Sequence, residues 1–386
     1  MNTTKNILII AGEASSDMHA ANLINDLKSL DNNIKFWGLG GDNMKKAGVK
    51  LLYNIVHLAF IGPAGLFKHY LKLKKIFNSL CSQISSDPPD AAILIDYAEF
   101  NLRVAKHLHS LGVPIIYYIS PQIWAWGLWR IKTIKKLVNK MLVFFKFEEE
   151  LYKSHGVDVS FVGHPLLETV KVTSEKKDIM ERLGLSHDKK RIGIVPGSRK
   201  SEIKTMLPIM LASAKLISKQ LGKQSIDFIL PLAHTIKEDS VKKIIQKNGM
   251  DIKIVKNDTH NAISVCDCAI VTSGTATLET ALLGVPMAII YKSNFLTYIL
   301  TKNLIKLPYI GLVNVVAGKR IASEFLQYEA RPHRIAEYIL RLISDKKMNS
   351  SMKEEFIKIK NSLGEPGAGK RAANEVITFL NSKTKK

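Results

Sequence analysis

Asp96 follows the apolar run AAILI (91–95) and is the second residue of the phrase IDYAEFN (95–101). A carboxylate at the carboxyl end of a buried strand stands where ligands bind in open α/β sheets, so it could take a proton from an attacking hydroxyl. Asp96 also lies three residues before Glu99, which reads equally well as a capping box for a helix beginning around Tyr97. In VPGSRKSEI (195–203), Gly197 permits a tight turn, Ser198 is placed to cap the next helix, and Arg199 presents a planar charged fork that suits phosphate. The plain alternative is a capped helix with Arg199 in solvent. VTSGTATLETALLGVP (271–286) crowds Thr272, Ser273, Gly274, Thr275 and Thr277 around a helix start, a nest that binds anions without lysine. Glu279, expected in the first turn of that helix, suits a ribose diol or simply the helix dipole. AGEASSDMHAAN (11–22) offers Gly12, Glu13, Ser15, Asp17 and His19 to the hydroxyls of an acceptor, with a purely structural His19 as the alternative. There is no complete Walker loop, in which Ser or Thr follows G-x-x-x-x-G-K, and no D-x-D pair for a metal.

Loops of this kind need strands that aim them. Short apolar runs such as ILII (7–10) and AAILI (91–95) alternate with amphipathic stretches, the pattern of parallel βαβ units with helices on both sheet faces. NILIIAGEASSD (6–17) is echoed by RIGIVPGSRKSE (191–202), and DAAILIDYAEF (90–100) by DCAIVTSGTAT (267–277). The echoes predict an α/β protein of two Rossmann-like, doubly wound domains facing across a cleft. At 386 residues and 46% apolar, the chain suits two cores rather than one. The expected division is 1–168, 169–345, and a helical segment 346–386 returning to the first domain. The longest apolar runs fall far short of the roughly 18 residues that span a bilayer, and Glu13 and Asp17 interrupt the opening stretch too early for a signal peptide, so a cytoplasmic location is expected. Cys81, Cys266 and Cys268 have no second pair to complete a zinc site and read as reduced, mostly buried thiols.

With 56 Lys and Arg against 34 Asp and Glu, the net charge is +22, which favours an anionic partner without telling nucleic acid, lipid and nucleotide sugar apart. GLFKHYLKLKKIFNSL (65–80) sets Leu66, Phe67, Tyr70 and Leu71 among lysines, an amphipathic helix that could rest on a membrane or pack on a sheet. In SPQIWAWG (120–127), Trp124 and Trp126 could stack on a sugar or acyl chain, or pack as a cleft wall.

Taken in order, GEASSD, GLGGDNMKKAGV, IDYAEFN, SPQIWAWG, GHPL, PGSRKSEI, TSGTATLE and IGLVNVVAG resemble the lipid-A-disaccharide synthase family almost end to end. The family is of the two-domain glycosyltransferase type called GT-B. The resemblance implies an inverting transfer of 2,3-diacylglucosamine from UDP-2,3-diacylglucosamine to 2,3-diacylglucosamine 1-phosphate, giving a β-1,6 disaccharide and UDP. It implies no cofactor and no metal. Asp96 would be the general base, Arg199 and the 273–279 loop nucleotide contacts, and Asn314 a further polar group of the site. It also implies peripheral attachment to the anionic cytoplasmic face of the inner membrane; the oligomeric state stays open, a homodimer included. The chain departs from the family pattern at Ser16 and Ala20, where glycines are usual, at Ala98 and Glu99, where Pro-Asp is usual, and at Val313 and Ser323, where prolines are usual. The rival enzyme reading is another UDP-sugar protein of this architecture, an N-acetylglucosamine epimerase or a peptidoglycan transferase, sharing the nucleotide loops without IDYAEFN and SPQIWAWG. A nucleic-acid-binding protein would account for the charge, but that charge is dispersed and no binding motif accompanies it, so nucleic acid is not an expected partner.

Overall fold

The structure is a computed structural model, and it describes residues 4–56, 66–293 and 308–383, with the side chains of 66–70 and 383 left aside. The chain divides into two compact units, Met1–Pro165 with Leu363–Lys386, and Leu166–Ser362.

Among the described residues the first unit is built on seven strands, β1 (Lys5–Ala11), β2 (Ile34–Gly40), β3 (Lys50–Asn54), β4 (Ala91–Ile95), β5 (Ile115–Tyr118), β6 (Lys140–Val143) and β7 (Val159–Phe161). They are parallel and lie in the order β3-β2-β1-β4-β5-β6-β7. Helices cover both faces, so β4 is buried at every residue, which is why it reads as an unbroken apolar run. The second unit repeats the plan with β8 (Lys190–Val195), β9 (Ile226–Leu232), β10 (Lys253–Lys256), β11 (Cys268–Thr272), β12 (Met287–Tyr291) and β13 (Glu324–Leu326) in the order β10-β9-β8-β11-β12-β13.

The sequence echoes correspond to one repeated piece of geometry. Asp90, just before β4, accepts the backbone N–H of Asn6 at 2.6 Å, and Asp267, just before β11, accepts that of Arg191 at 2.8 Å. Each aspartate fixes the central strand pair of its sheet at the amino end, and so sets where the loops at the carboxyl end emerge. In both sheets the strand order reverses at that pair, β1 with β4 and β8 with β11. A reversal leaves a crevice beyond the carboxyl ends, because successive crossover helices leave it on opposite sides.

The end of the chain differs from the expected division. Helix Lys346–Ser362 belongs to the second unit, where Met352, Phe356 and Ile359 are buried and the Met352 sulfur meets the N–H of Met287. The first unit regains the chain only from Leu363. Helix Ala368–Lys383 packs on helix Ala14–Leu30 through a face that includes Ala372, Ala373, Val376 and Leu380. Arg371 Nε donates to the Val162 carbonyl at 2.8 Å, and Glu375 accepts from Ser160 at 3.0 Å and pairs with Lys140 at 3.2 Å. Among the described residues, no helix is long and apolar enough to cross a membrane.

Candidate active site

In the first unit, Gly12 and Glu13 follow β1 and Asp96 follows β4, so all three stand at the switch point of that sheet. Asp96 does not cap the next helix. That helix runs from Ala98 to Ser110, its N-terminal neighbour is Tyr97, and no side chain caps it; Glu99 instead binds Arg130. Asp96 and Tyr97 both take the left-handed conformation, at φ +47° and +46°. For residues with a Cβ, this costs about 1–2 kcal/mol each, so the surroundings must enforce it. The carbonyl of Asp96 accepts from the Tyr117 hydroxyl at 2.5 Å and from Asn101 Nδ2 at 2.8 Å, and Asn101 Nδ2 also reaches the Ile95 carbonyl at 3.1 Å. On the other side the Tyr97 ring lies against Gly12, where an added Cβ would come within 2.4 Å of it. That contact explains why the position after β1 is a glycine. Burial, reinforced by the charge of Glu13 and opposed by the Tyr97 amide, pushes the Asp96 carboxyl up to about 6.

The other expected acceptor contacts divide. Glu13 and Ser15 are exposed at the opening turn. Asp17 is buried, and its carboxylate accepts from the backbone N–H groups of Gly41 at 2.7 Å, Asn43 at 3.0 Å and Met44 at 3.1 Å, so it is engaged in holding the start of helix Asp42–Lys46. His19 packs edge-on against Phe144, with His164 on that ring too, and burial pulls the two imidazoles down to about 4 and about 3. Both are neutral near pH 7. Trp124 donates to Glu148 Oε1 at 3.0 Å, beside Ser120 at 2.7 Å, so the SPQIWAWG loop is tied to a buried carboxyl that desolvation raises to about 7. Trp126 stacks on the Arg130 guanidinium at 4.6 Å, with Trp129 on the same cation at 5.0 Å. Trp129 is 72% exposed, and Leu128 and Trp126 are exposed beside it.

In the second unit, the 196–199 turn follows β8 and the 273–275 turn follows β11, again at the switch point. Gly197 has φ +99°, and a Cβ there would strike Glu202 Oε2 at 2.3 Å. The helix begins at Lys200, one residue later than a Ser198 cap requires. Glu202 is the actual cap: its carboxylate accepts the N–H groups of Ser198 at 3.0 Å and Arg199 at 3.1 Å. Arg199 is 67% exposed at the side chain and touches Glu202 at only 3.4 Å, so its fork remains presented. The spacing R-x-x-E was the signal for this cap.

Helix Thr275–Leu282 follows Gly274 at φ +141°, and of its first amides Thr277 donates to the Gly274 carbonyl at 3.1 Å, which leaves those of Thr275 and Ala276 at the open start of the helix. Ser273 and Thr277 organise that start: Ser273 Oγ donates to the Ile310 carbonyl at 2.9 Å, and Thr277 Oγ1 donates to the Gly274 carbonyl at 2.8 Å and accepts from the N–H of Val313 at 3.3 Å. Thr272 Oγ1 is buried with no partner among the described residues. Glu279 lies in the second turn rather than the first, and desolvation raises its carboxyl. Asn314 is fully buried and its amide is saturated, Nδ2 donating to the Ala322 carbonyl and to Glu324, both at 2.8 Å, and Oδ1 accepting from Ile321 and Ala322. It therefore braces the site with Glu324, which also accepts the N–H groups of Ile310 and Gly311, and it has no bond left for a substrate. The side chains of Leu66, Phe67 and Tyr70 lie outside the described residues; Leu71, on the same helix, is 48% exposed.

Similar proteins separate the two enzyme readings. A crystal structure of UDP-GlcNAc 2-epimerase from Neisseria meningitidis bound to UDP-GlcNAc superimposes with a TM-score of 0.62 over 97% of this chain and 100% of its own, at 14% identity. The calicheamicin glycosyltransferase CalG4 gives 0.60 over 99% of both chains, at 12% identity. Likeness at that identity shows the shared GT-B fold, which epimerases and transferases have in common. A lipid-A-disaccharide synthase from Syntrophus aciditrophicus (strain SB) is 40% identical over 378 residues, 98% of each chain. The family model described as lipid-A-disaccharide synthetase matches residues 7–375. With switch-point loops in both sheets and a match that runs through all of them, the chain belongs to the lipid-A-disaccharide synthase family of hexosyltransferases.

Proposed function

We propose that the chain transfers 2,3-diacylglucosamine from UDP-2,3-diacylglucosamine to the 6-hydroxyl of 2,3-diacylglucosamine 1-phosphate. The acceptor oxygen forms a bond to C1 as the bond from C1 to the diphosphate oxygen breaks. Asp96 receives the hydroxyl proton and UDP leaves with the electron pair, with inversion at C1. The exposed fork of Arg199 and the first amides of helix Thr275–Leu282 hold the diphosphate without a metal; Gly197, Ser198, Thr272, Ser273 and Gly274 shape those turns, and Glu279 takes the ribose. Glu13, Ser15 and Trp126 contact the acceptor.

The observation that supports this most is placement. The carboxylate candidate stands at the switch point of one sheet, and the anion-binding candidates at the switch point of the other. Rates measured with both acylated substrates test it. Asp96→Asn should lower kcat by about 10²-fold or more, and Arg199→Ala should lower kcat/KM by about 10²- to 10³-fold, with EDTA without effect on the parent. Full activity in Asp96→Asn removes it as the base, and loss of activity in EDTA removes the metal-free reading. We further propose that the chain works at an anionic membrane surface, approached by helix Leu66–Ser86 and by the Trp126, Leu128 and Trp129 cluster.

A further inference from the structure

The Asp96–Tyr97 turn is held in a backbone conformation that its residue types disfavour, and the groups that hold it are specific. Tyr117 is a fully buried β5 residue paired in register with Leu94, and its hydroxyl crosses to the carbonyl of Asp96 rather than to its own strand neighbours. Asn101 is fully buried one turn into the following helix, and its Nδ2 donates to the carbonyls of both Ile95 and Asp96. Its Oδ1 has no partner among the described residues, so the amide is kept for what it donates. A carbonyl at a strand end is ordinarily satisfied by one partner; this one has two, converging from β5 and from the helix. Their convergence fixes the plane of the Asp96–Tyr97 peptide. That plane fixes the direction of the Asp96 side chain, which shares the turn with Glu13 and the Tyr97 ring over Gly12.

We propose that Tyr117 and Asn101 are positioning residues for the reaction, locking the left-handed Asp96–Tyr97 turn so that the Asp96 carboxyl points at the acceptor hydroxyl. The inference rests on the reading of Asp96 as the base. Removing the Tyr117 hydroxyl leaves the ring in the core and frees the peptide to relax, which moves the carboxyl without altering its chemistry. Misplacement on the scale of an ångström costs a proton transfer up to about 10²-fold.

The test compares Tyr117→Phe, Asp96→Asn and the double variant in the full chain, reading kcat, KM for each substrate and the thermal midpoint, with Asn101→Ala as an independent arm. Tyr117→Phe should lower kcat about tenfold to a hundredfold, leave both KM values within about twofold, and have no further effect on the residual rate of Asp96→Asn. Should Tyr117→Phe fold poorly, the same pattern in a folded Asn101→Ala supports the inference. If Asp96→Asn is crippled while folded Tyr117→Phe and Asn101→Ala keep the parent kcat, the positioning role is overturned and the base survives. An equal loss from Tyr117→Phe with and without Asp96 also overturns it. Parent activity in Asp96→Asn overturns the base, and this inference with it.

Discussion

Glu13 gives a residue-scale test of the site. Desolvation is the larger cause of the raised Asp96 carboxyl and the charge of Glu13 the second. A base is active when deprotonated, so kcat/KM should fall as pH drops through about 6. Glu13→Gln removes a negative charge, so that acid limb should move to lower pH while staying above the ordinary aspartate range; a pH profile with an unmoved limb would show that the two carboxyls do not sense each other. Asp96 was legible from its place at the end of an apolar run. Its left-handed turn was not, because Tyr carries no mark of positive φ and Asp only a weak one beside glycine. Asp17 misled for a related reason. A polar side chain near a loop looks available until the backbone amides and carbonyls it serves are located, and those lie 24 to 27 residues away for Asp17.

At the scale of the elements, strands were readable because parallel strands covered on both faces must be apolar throughout. Helix starts were less so: Ser198 and Arg199 both precede the helix, and only the position of Glu202 shows which amides need an acceptor. The SPQIWAWG loop is a third case, since nothing local identifies Glu148, more than 20 residues on, as its anchor. That anchor has a measurable consequence. Glu148 is held protonated up to about 7 against 4.5 in the unfolded chain, so the unfolded state releases its proton first. The stability this group contributes is complete below pH 4.5 and is lost as pH rises through about 7. Glu148→Gln retains an oxygen for Ser120 and Trp124 and has no proton to lose. Its stability relative to the parent should therefore grow between pH 4.5 and 7 and then level off, by roughly 3.5 kcal/mol at most at about 1.4 kcal/mol per unit. Denaturant titrations across that range check it, and parallel curves for the two proteins would reject the assignment.

For the whole molecule, the excess of 22 positive charges and two exposed apolar features, Leu71 and the Trp129 cluster, bear on the proposed membrane contact. Vesicles containing anionic lipid should bind the chain in a salt-sensitive manner. Replacing Leu71 and Trp129 together by Ser should weaken that binding by roughly tenfold or more without lowering the thermal midpoint, since both side chains face solvent. Co-sedimentation that is unchanged by the replacement would remove these residues from the contact. The doubling of the architecture was legible in the two sequence echoes, whereas the return of the chain at Leu363 rather than 346 was not, because helix Lys346–Ser362 and helix Ala368–Lys383 are both basic and amphipathic. The first unit is assembled from both ends of the chain, with helix Ala368–Lys383 lying on helix Ala14–Leu30. A ribosome therefore delivers every residue of the second unit before the first has its last helix, and the face of Ala14–Leu30 that waits for it stays uncovered through most of translation.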